Sequence, residues 1–480
     1  MWNDFREVVE KMLIRVSNIL TVEKPTKEII DWCKKTLVIP NPDYGKKARM
    51  HLWLGDTPRV LSLYEIRGDK LILPFGVLKN LPNDLVNDVK FISDFKPLRR
   101  IDYKANVNLY DYQEIAVQAM KDAKYGILQS PAGSGKTQMG IALATQLGRK
   151  TLWLCHTRDL IKQSKERAEI YIDKKLIGTI TEGKVNIGSG ITFATIQTMS
   201  KLNLADYKYE WDCIITDEVH RVAGSPTSIT QYQKVLNSLA ARNKYGLSAT
   251  VHRSDGMIKA TYALVGEVAH KVPDESVADK IMKVGILPVG TGVEISREAL
   301  NTDGTLNYTK LISYLTKNDS RQQVIIDALI ESEGHSCLIL SDRLEHLEDL
   351  IARLPTVTQM NAVMISGKMT SKKGKAEREK AIENMRLGKK KYLFATYALA
   401  KEGLDIPRLD RLFLTTPQKD YAVVTQSIGR IARTFEGKEN PIAYDFVDNI
   451  GYLVKSYKKR CTTYRKNHCY FVEEGKTDGD

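Results

Sequence analysis

Ser130-Pro-Ala-Gly-Ser-Gly-Lys-Thr137 follows a short apolar run, Tyr125–Gln129, and precedes a helix-like stretch, Gln138–Leu147. A strand, a glycine-rich loop and a helix in that order make a phosphate-binding loop. Gly133 and Gly135, with Ser134 between them, let backbone N–H groups curl around a phosphate where a Cβ would intrude. Lys136 supplies a cation to the β- and γ-phosphates, and the Thr137 hydroxyl is a ligand for Mg²⁺. The helix N-terminus adds its partial positive charge. Ser130 stands where this motif usually opens on glycine.

On both sides of the loop, from about Tyr125 to Phe446, strand-like runs alternate with helix-like ones, the pattern of an α/β chain. Tyr125–Gln129, Thr151–Cys155, Cys213–Thr216 and Tyr245–Leu247 come first; Cys337–Leu340, Tyr392–Ala395 and Arg411–Leu414 follow much later. Runs of this kind fit strands buried on both faces of a parallel sheet. The Gly- and Pro-bearing stretch Gly285–Thr309 breaks the rhythm, which predicts two α/β units joined by a connector. Residues 1–106 read as a small α+β domain: a helical start, the punctuated Ile39–Gly45, then short alternating strands at Val60–Ile66 and Lys70–Leu73. The expected divisions are 1–106, 107–270, 271–450 (connector and second α/β unit) and a basic tail, 451–480. In the tail, Lys455, Lys458, Lys459, Arg460, Arg465 and Lys466 interleave with Tyr452, Tyr457, Tyr464, Tyr470 and Phe471. Such a stretch can stack on and neutralise single-stranded nucleic acid, or form a helix whose tyrosines pack on the core. Both readings stay open at this stage.

Of the 480 residues, 42% are hydrophobic and 27% charged, which excludes a wholly disordered chain, a collagen-like chain and a membrane bundle. Lys plus Arg number 72 against 58 Asp plus Glu, a net charge of +14 that favours a polyanionic partner. Six scattered cysteines form no C-x-x-C pair, so reduced thiols are expected and a zinc site is not. The opening Met1–Leu13 mixes acids among its apolar residues, unlike a signal peptide. No run approaches the ~18 apolar residues of a membrane span. A soluble, cytoplasmic protein is the expectation.

Asp212-Cys-Ile-Ile-Thr-Asp-Glu-Val-His220 sets two acids at the end of an apolar strand. Asp217 can hold the Mg²⁺ that Thr137 also touches, and Glu218 can orient or deprotonate the attacking water. Alone, a strand-end acid pair is a weak signal. Behind a phosphate loop it implies binding and hydrolysis of a nucleoside triphosphate.

Asp217-Glu-Val-His220 also resembles the DExH motif of superfamily 2 helicases, and further motifs follow in the family's order. Leu109-Tyr-Asp-Tyr-Gln113 resembles the upstream element in which a glutamine reads adenine, so the resemblance implies ATP, bound through Gln113. Ser248-Ala-Thr250 resembles the segment coupling hydrolysis to nucleic-acid binding. Its continuation Val251–Gly256 is similar to the XPB/RadD-like branch and to phage UvsW-type branch-migrating helicases. Phe394-Ala-Thr396 with Lys401-Glu-Gly-Leu-Asp405 resembles the fifth motif, which implies nucleotide contacts from Gly403 and Asp405. Gln426-Ser-Ile-Gly-Arg-Ile-Ala-Arg433 resembles the sixth. By that resemblance Arg430 and Arg433 are arginine fingers for the γ-phosphate, and Gln426 pairs with His220. Two such arginines at i and i+3 are expected on one helix face.

The same resemblance implies a single-strand path along Thr157, Arg158, Thr195, Gln197, Ser341, Arg343 and Thr396. Hydroxyl, amide and cationic donors there bind phosphate without reading bases. Asn41–Gly45 and Leu73–Gly76 resemble the N-terminal domain of UvsW-type proteins and imply a duplex-DNA contact. The implied fold is two tandem RecA-like parallel-sheet domains behind a small α+β domain. The implied activity is an ATP- and Mg²⁺-dependent DNA helicase or translocase acting on forks, Holliday junctions or R-loops, with RNA a possible partner in R-loops. An RNA helicase and a non-unwinding motor subunit are the alternatives. Neither a membrane nor an obligate protein partner is expected, and the setting implied is a bacterial or phage-infected cytoplasm.

Overall fold

The computed structural model describes residues 12–87, 89–96, 100–131, 133–251, 257–369, 371–401 and 404–472. The expected opening helix falls almost wholly outside these residues, as do Gly403 and most of the segment after Thr250. The chain divides into two compact units, residues 1–131 with 135–274, and residues 275–480 with 132–134.

The first unit begins with seven short strands: β1 (Leu13–Val16), β2 (Ile19–Glu23), β3 (Val38–Pro40), β4 (Val60–Ser62), β5 (Glu65–Arg67), β6 (Lys70–Pro74) and β7 (Lys90–Ser93). Five of them form a sheet in the order β5-β6-β2-β1-β7, and β3 pairs with β4 alone. Strict alternation puts Leu20, Val22, Leu71 and Leu73 on one buried face, where the helix Lys27–Thr36 adds Ile29 and Cys33. This core is not closed on itself. Ala223, Ile229, Met257, Ala260 and Ala263 of the following domain belong to the same apolar cluster. Gly76 shows how close the two parts lie, since a Cβ there would stand 2.4 Å from the Tyr262 carbonyl oxygen.

The following domain is an eight-stranded sheet: β8 (Tyr125–Gln129), β9 (Thr151–Cys155), β10 (Ile177–Thr181), β11 (Lys184–Asn186), β12 (Ile191–Thr195), β13 (Cys213–Thr216), β14 (Asn243–Ser248) and β15 (Val268–Lys271). Its order is β11-β10-β12-β9-β13-β14-β8-β15, parallel throughout except the β10–β11 hairpin. The four runs expected as buried strands are β8, β9, β13 and β14. Helices cover both faces, so residues pointing either way are buried and the runs read as continuously apolar.

The second unit holds a seven-stranded parallel sheet: β16 (Gly285–Gly290), β17 (Cys337–Ser341), β18 (Ala362–Ile365), β19 (Tyr392–Thr396), β20 (Arg411–Leu414), β21 (Ile442–Val447) and β22 (Tyr470–Phe471). The order is β18-β19-β17-β20-β21-β16-β22. The supposed connector Gly285–Thr309 therefore opens with a sheet strand, paired with β21 along its full length. Its Gly and Pro residues disguise it. On its other side β16 meets only the two residues of β22, at Gly285 and Ile286, so Pro288 sits where no strand needs its missing N–H.

The stretch set apart as a basic tail folds as the helix Gly451–Lys466 and then β22. Arg460 and Tyr464 are buried: Arg460 makes two 2.8 Å bonds to Asp445, and the Tyr464 hydroxyl donates to the same carboxylate at 2.6 Å. Tyr452, Lys455, Lys458, Lys459, Arg465 and Lys466 face outward. The helix thus combines core packing with a basic outer stripe. Cys33, Cys155, Cys213 and Cys337 are buried free thiols. Among the described residues no helix is long and apolar enough to cross a membrane.

Candidate functional site

The glycine-rich loop connects β8 to the helix Lys136–Leu147, with Gly133 and Gly135 in the left-handed region at φ +82° and +79°. Only glycine adopts that backbone without strain. A second reason holds at Gly135, where a Cβ would lie 2.5 Å from Nε2 of Gln113. The Lys136 ammonium reaches back to the Ser130 and Pro131 carbonyl oxygens at 3.3 and 3.2 Å, which folds its charge over the loop. Buried Gln113 is the third residue of the helix Asp111–Ala123, and its Oε1 accepts the Tyr110 N–H at 3.0 Å. Its amide is thereby fixed beside the phosphate loop.

Two strands away from β8, Asp217 and Glu218 follow the end of β13. The Asp217 N–H donates to the Leu154 carbonyl at 2.9 Å, and its carboxylate accepts from the Glu218 N–H at 3.0 Å and the Ser164 hydroxyl at 3.3 Å. Burial, with Glu218 as a like-charged neighbour, pushes the Asp217 carboxyl up to about 7, opposed by the Lys136 cation. Glu218 itself has φ +48°, a conformation costly for a residue with a Cβ and typical of functional sites.

From Glu218 a polar chain runs into the next strand. His220 Nδ1 lies 3.3 Å from Glu218 Oε2 and 3.0 Å from the Ser248 hydroxyl. Ser248 donates its own proton to the Thr250 carbonyl at 2.6 Å and accepts the Thr250 N–H at 3.2 Å. With that hydroxyl proton spent, the proton between His220 and Ser248 sits on Nδ1. Ser248 also bonds the loop, its carbonyl accepting the Ser130 N–H at 2.9 Å. The acid pair, His220, Ser248, Thr250 and the phosphate loop are therefore one connected set.

In the second unit, Arg430 donates to the Ala400 and Leu404 carbonyls at 2.9 and 3.1 Å, and Arg433 is ion-paired with Asp405. The shared helix face expected for these arginines is not present. The helix Tyr421–Ile431 stops before Arg433, which follows the cap residue Ala432 and bridges to Ile281. Gln426 Oε1 is buried with no hydrogen-bond partner among the described residues. Gly403 lies outside them.

The expected nucleic-acid contacts gather at the carboxyl ends of parallel strands: Thr157 and Arg158 after β9, Thr195 and Gln197 at β12, Ser341 and Arg343 at β17, and Thr396 at β19. Thr157 and Thr195 cap the helices that follow, accepting the Leu160 and Thr198 N–H groups at 3.3 Å. Gln197 Nε2 lies 3.4 Å from His156 Nδ1, and Arg158 pairs with Glu182. Ser341 requires a correction. It is buried, and its hydroxyl is occupied by His346 Nδ1 and the Arg343 N–H, each at 3.0 Å, so it cannot also meet a phosphate. Exposed Arg343 remains available there.

Three features escaped the sequence reading. Ser164 reaches Asp217 from a helix with no motif of its own. Lys438 donates to the Pro407, Ile431 and Arg433 carbonyls at 3.2, 2.6 and 2.7 Å, holding the turn that carries Arg433. Tyr308 and Tyr452 meet with ring centroids 6.0 Å apart, and Lys419 bonds the Tyr452 hydroxyl at 2.9 Å. A basic, tyrosine-bearing tail hinted at the last cluster, but Tyr308 comes from far away in sequence.

Two parallel-sheet units, a phosphate loop wired to an acid pair, and a second arginine-bearing unit define a nucleotide-driven motor of the RecA-like kind. Residues 106–253 match the family model for the res subunit of type III restriction enzymes, and residues 320–435 match the helicase conserved C-terminal domain. The chain belongs to the superfamily 2 helicases, which are ATP-dependent helicases and translocases. It is 26% identical to the putative ATP-dependent RNA helicase L396 of Acanthamoeba polyphaga mimivirus, over 86% of this chain and 83% of that protein. It is 25% identical to the DNA 3′-5′ translocase XPB2 of Sulfurisphaera tokodaii, over 69% of this chain and 80% of that protein. In fold it resembles S. cerevisiae Dbp5 bound to RNA and ADP BeF3, with 18% identity, 76% of this chain and 90% of that one covered, and a TM-score of 0.54.

Proposed function

We propose that this protein is an ATP-dependent DNA helicase or translocase that unwinds or remodels branched DNA, such as forks, four-way junctions and R-loops. The observation that carries the motor reading is the connected set from Glu218 through His220 to Ser248 and Thr250. It ties the residue that would orient the attacking water to a segment that can report hydrolysis elsewhere. Lys136, Ser134 and the loop glycines bind the β- and γ-phosphates, and Gln113 faces adenine. Arg430 and Arg433 supply charge to the γ-phosphate, with Asp405 as the partner Arg433 leaves.

Mg²⁺ fits Thr137 and Asp217, a hard-oxygen pair of the sort that holds this ion together with substrate phosphates. Asp217 is buried beside Glu218, and burial with that like-charged neighbour raises its carboxyl, so a cation held there would favour the ionised pair. Held by these two residues, the ion would supply charge neutralisation at the phosphate oxygens.

A nucleic-acid track is supported by the net charge of +14, and DNA by the relative named as a DNA translocase. Residues 1–106 grip duplex in this reading, while the strand-end residues of both units hold a single strand. A second reading, an RNA helicase, is favoured by the relative named as one. The test is a panel of ATPase stimulation and strand separation on single-stranded, forked, four-way and RNA-containing substrates. Greatest stimulation and unwinding on branched DNA is expected. Stimulation by RNA alone selects the second reading, and stimulation without strand separation selects a translocating subunit.

A further inference from the structure

Met50, Leu52 and Trp53 are 57%, 52% and 87% exposed, and Trp53 is the most exposed large hydrophobic side chain among the described residues. They follow the helix Pro42–Arg49 in a loop that is pinned down. The Leu52 N–H donates to the Lys47 carbonyl at 2.9 Å, and Lys47 Nζ to the Thr57 hydroxyl at 2.7 Å. Asn41 holds the far end through its side chain to the Pro58 carbonyl at 2.8 Å and its N–H to the Arg59 carbonyl at 3.1 Å. Gly55, at φ +48°, leaves room for the indole against the turn, where a Cβ would stand 2.7 Å from the ring. The loop thus holds apolar side chains outward on a fixed backbone, an arrangement that marks an interaction site.

The surrounding charge selects the partner. Between Asn41 and Arg59 the chain carries Lys46, Lys47, Arg49 and Arg59 against Asp43 and Asp56, so 4 − 2 leaves +2. Lys46, Arg49 and Arg59 are exposed, while Lys47 is engaged with Thr57. An exposed aromatic ring on a pinned loop, in a segment with three exposed cations, suits a polyanion that presents flat apolar faces. DNA offers such a face where two strands part, because the last base pair has lost one stacking neighbour. We propose that Trp53 stacks on the terminal base pair at a DNA branch point, with Lys46, Arg49 and Arg59 on the flanking phosphates. Apolar side chains used this way are a recurrent means of gripping distorted duplex. The inference deepens the branched-DNA reading and rests on it.

The test compares wild type with Trp53→Ala and Trp53→Phe on a forked duplex carrying 2-aminopurine at the last paired position. Stacking on an aromatic side chain is worth roughly 5- to 150-fold in affinity per base, so Trp53→Ala should weaken fork binding within that range. Trp53→Phe should restore part of it. Single-strand affinity and ATPase without nucleic acid should be unchanged, since the residue is too exposed to support the fold. Wild type should alter the 2-aminopurine fluorescence and Trp53→Ala should not.

Unchanged fork affinity and fluorescence in Trp53→Ala overturn the proposal, as does an equal loss on single strands. Loss of binding to acidic lipid vesicles with fork binding intact overturns it in favour of a membrane surface. A wild-type enzyme without fork preference overturns the branched-DNA reading instead. Trp53 is then judged at a plain duplex end, where a 2-aminopurine signal that Trp53→Ala abolishes sustains stacking and an unaltered one refutes it.

Discussion

On the proposed function, Lys136 and Glu218 act on different steps, binding and hydrolysis, so their substitutions should separate. Lys136→Ala removes the cation folded over the phosphate loop, and both ATP binding and hydrolysis should fall. Glu218→Gln keeps the size of the side chain and its place beside His220, so ATP should still bind while turnover is lost. Nucleotide-binding titrations alongside steady-state ATPase assays distinguish the two, and normal turnover in either variant would exclude the assignment. At Arg433 the expected loss is about 10³–10⁵ in turnover, the range measured for arginine fingers. Nucleotide affinity should change far less, because Arg433 belongs to the other unit and is engaged with Asp405. Arg430 holds the Ala400 and Leu404 carbonyls, so Arg430→Ala should also loosen the segment bearing Asp405.

At the scale of elements, β13 and β14 lie side by side, and His220, beyond the end of β13, meets Ser248 at the end of β14. On the proposed function, this adjacency would make the Ser248–Thr250 segment a link between chemistry and movement. Ser248→Ala combined with Thr250→Ala deletes the hydroxyl that joins His220 to the Thr250 backbone but leaves the acid pair and phosphate loop in place. ATPase should persist and strand separation should fail. Parallel loss of both activities in the double variant would show that the segment serves the hydrolytic site itself. The same logic explains why β16 was legible only after folding. Its sequence, Gly285–Gly290, is rich in breakers, and pairing with β21 overrides a weak local preference.

Across the whole molecule, the N-terminal domain and the first RecA-like domain share one apolar core, and Lys244 lies at their junction. Its ammonium is buried, donates to the Asn18 and Leu236 carbonyls at 2.9 and 2.8 Å, and lies 4.8 Å from the centre of the Phe75 ring. Burial pulls its pKa down from 10.5 to about 7. Between these values the unfolded chain holds a proton that the folded one has released, so this group's contribution to stability improves as pH rises from about 7 to about 10.5. Lys244→Met removes that dependence. The Tm of the variant relative to wild type should therefore be most favourable near neutral pH and decline toward about pH 10. A constant difference in thermal melts across that span would refute a depressed Lys244. The shared core also changes how duplex binding must be tested. Deleting residues 1–106 uncovers Ala223, Ile229, Ala260 and Ala263, and the product should aggregate. Lys46→Glu and Arg49→Glu are the informative changes. For every phosphate that a variant no longer neutralises, the slope of log affinity against log salt on forks should become shallower by about 0.9. The slope on single strands should not move.

The sequence by itself determined the fold class and the family, and it marked where a glycine loop and an acid pair would stand at strand ends. Phosphate binding needs glycines at fixed spacing before a helix, and strands buried on both faces need continuous apolar runs. Both requirements are local, so Gly133–Thr137, Asp217-Glu218 and the seven strand runs could be read directly. Only the tertiary structure decided what depends on neighbours distant in the chain. Ser341 reads as a polar strand-end residue, yet a histidine five positions on consumes its hydroxyl. Arg460 reads as surface charge in a basic tail, yet Asp445 draws it into the core. Arg433 follows Arg430 at helical spacing, yet the helix ends between them. Burial, pairing and helix termination are settled by packing between segments, and no spacing rule along the chain encodes which partner arrives.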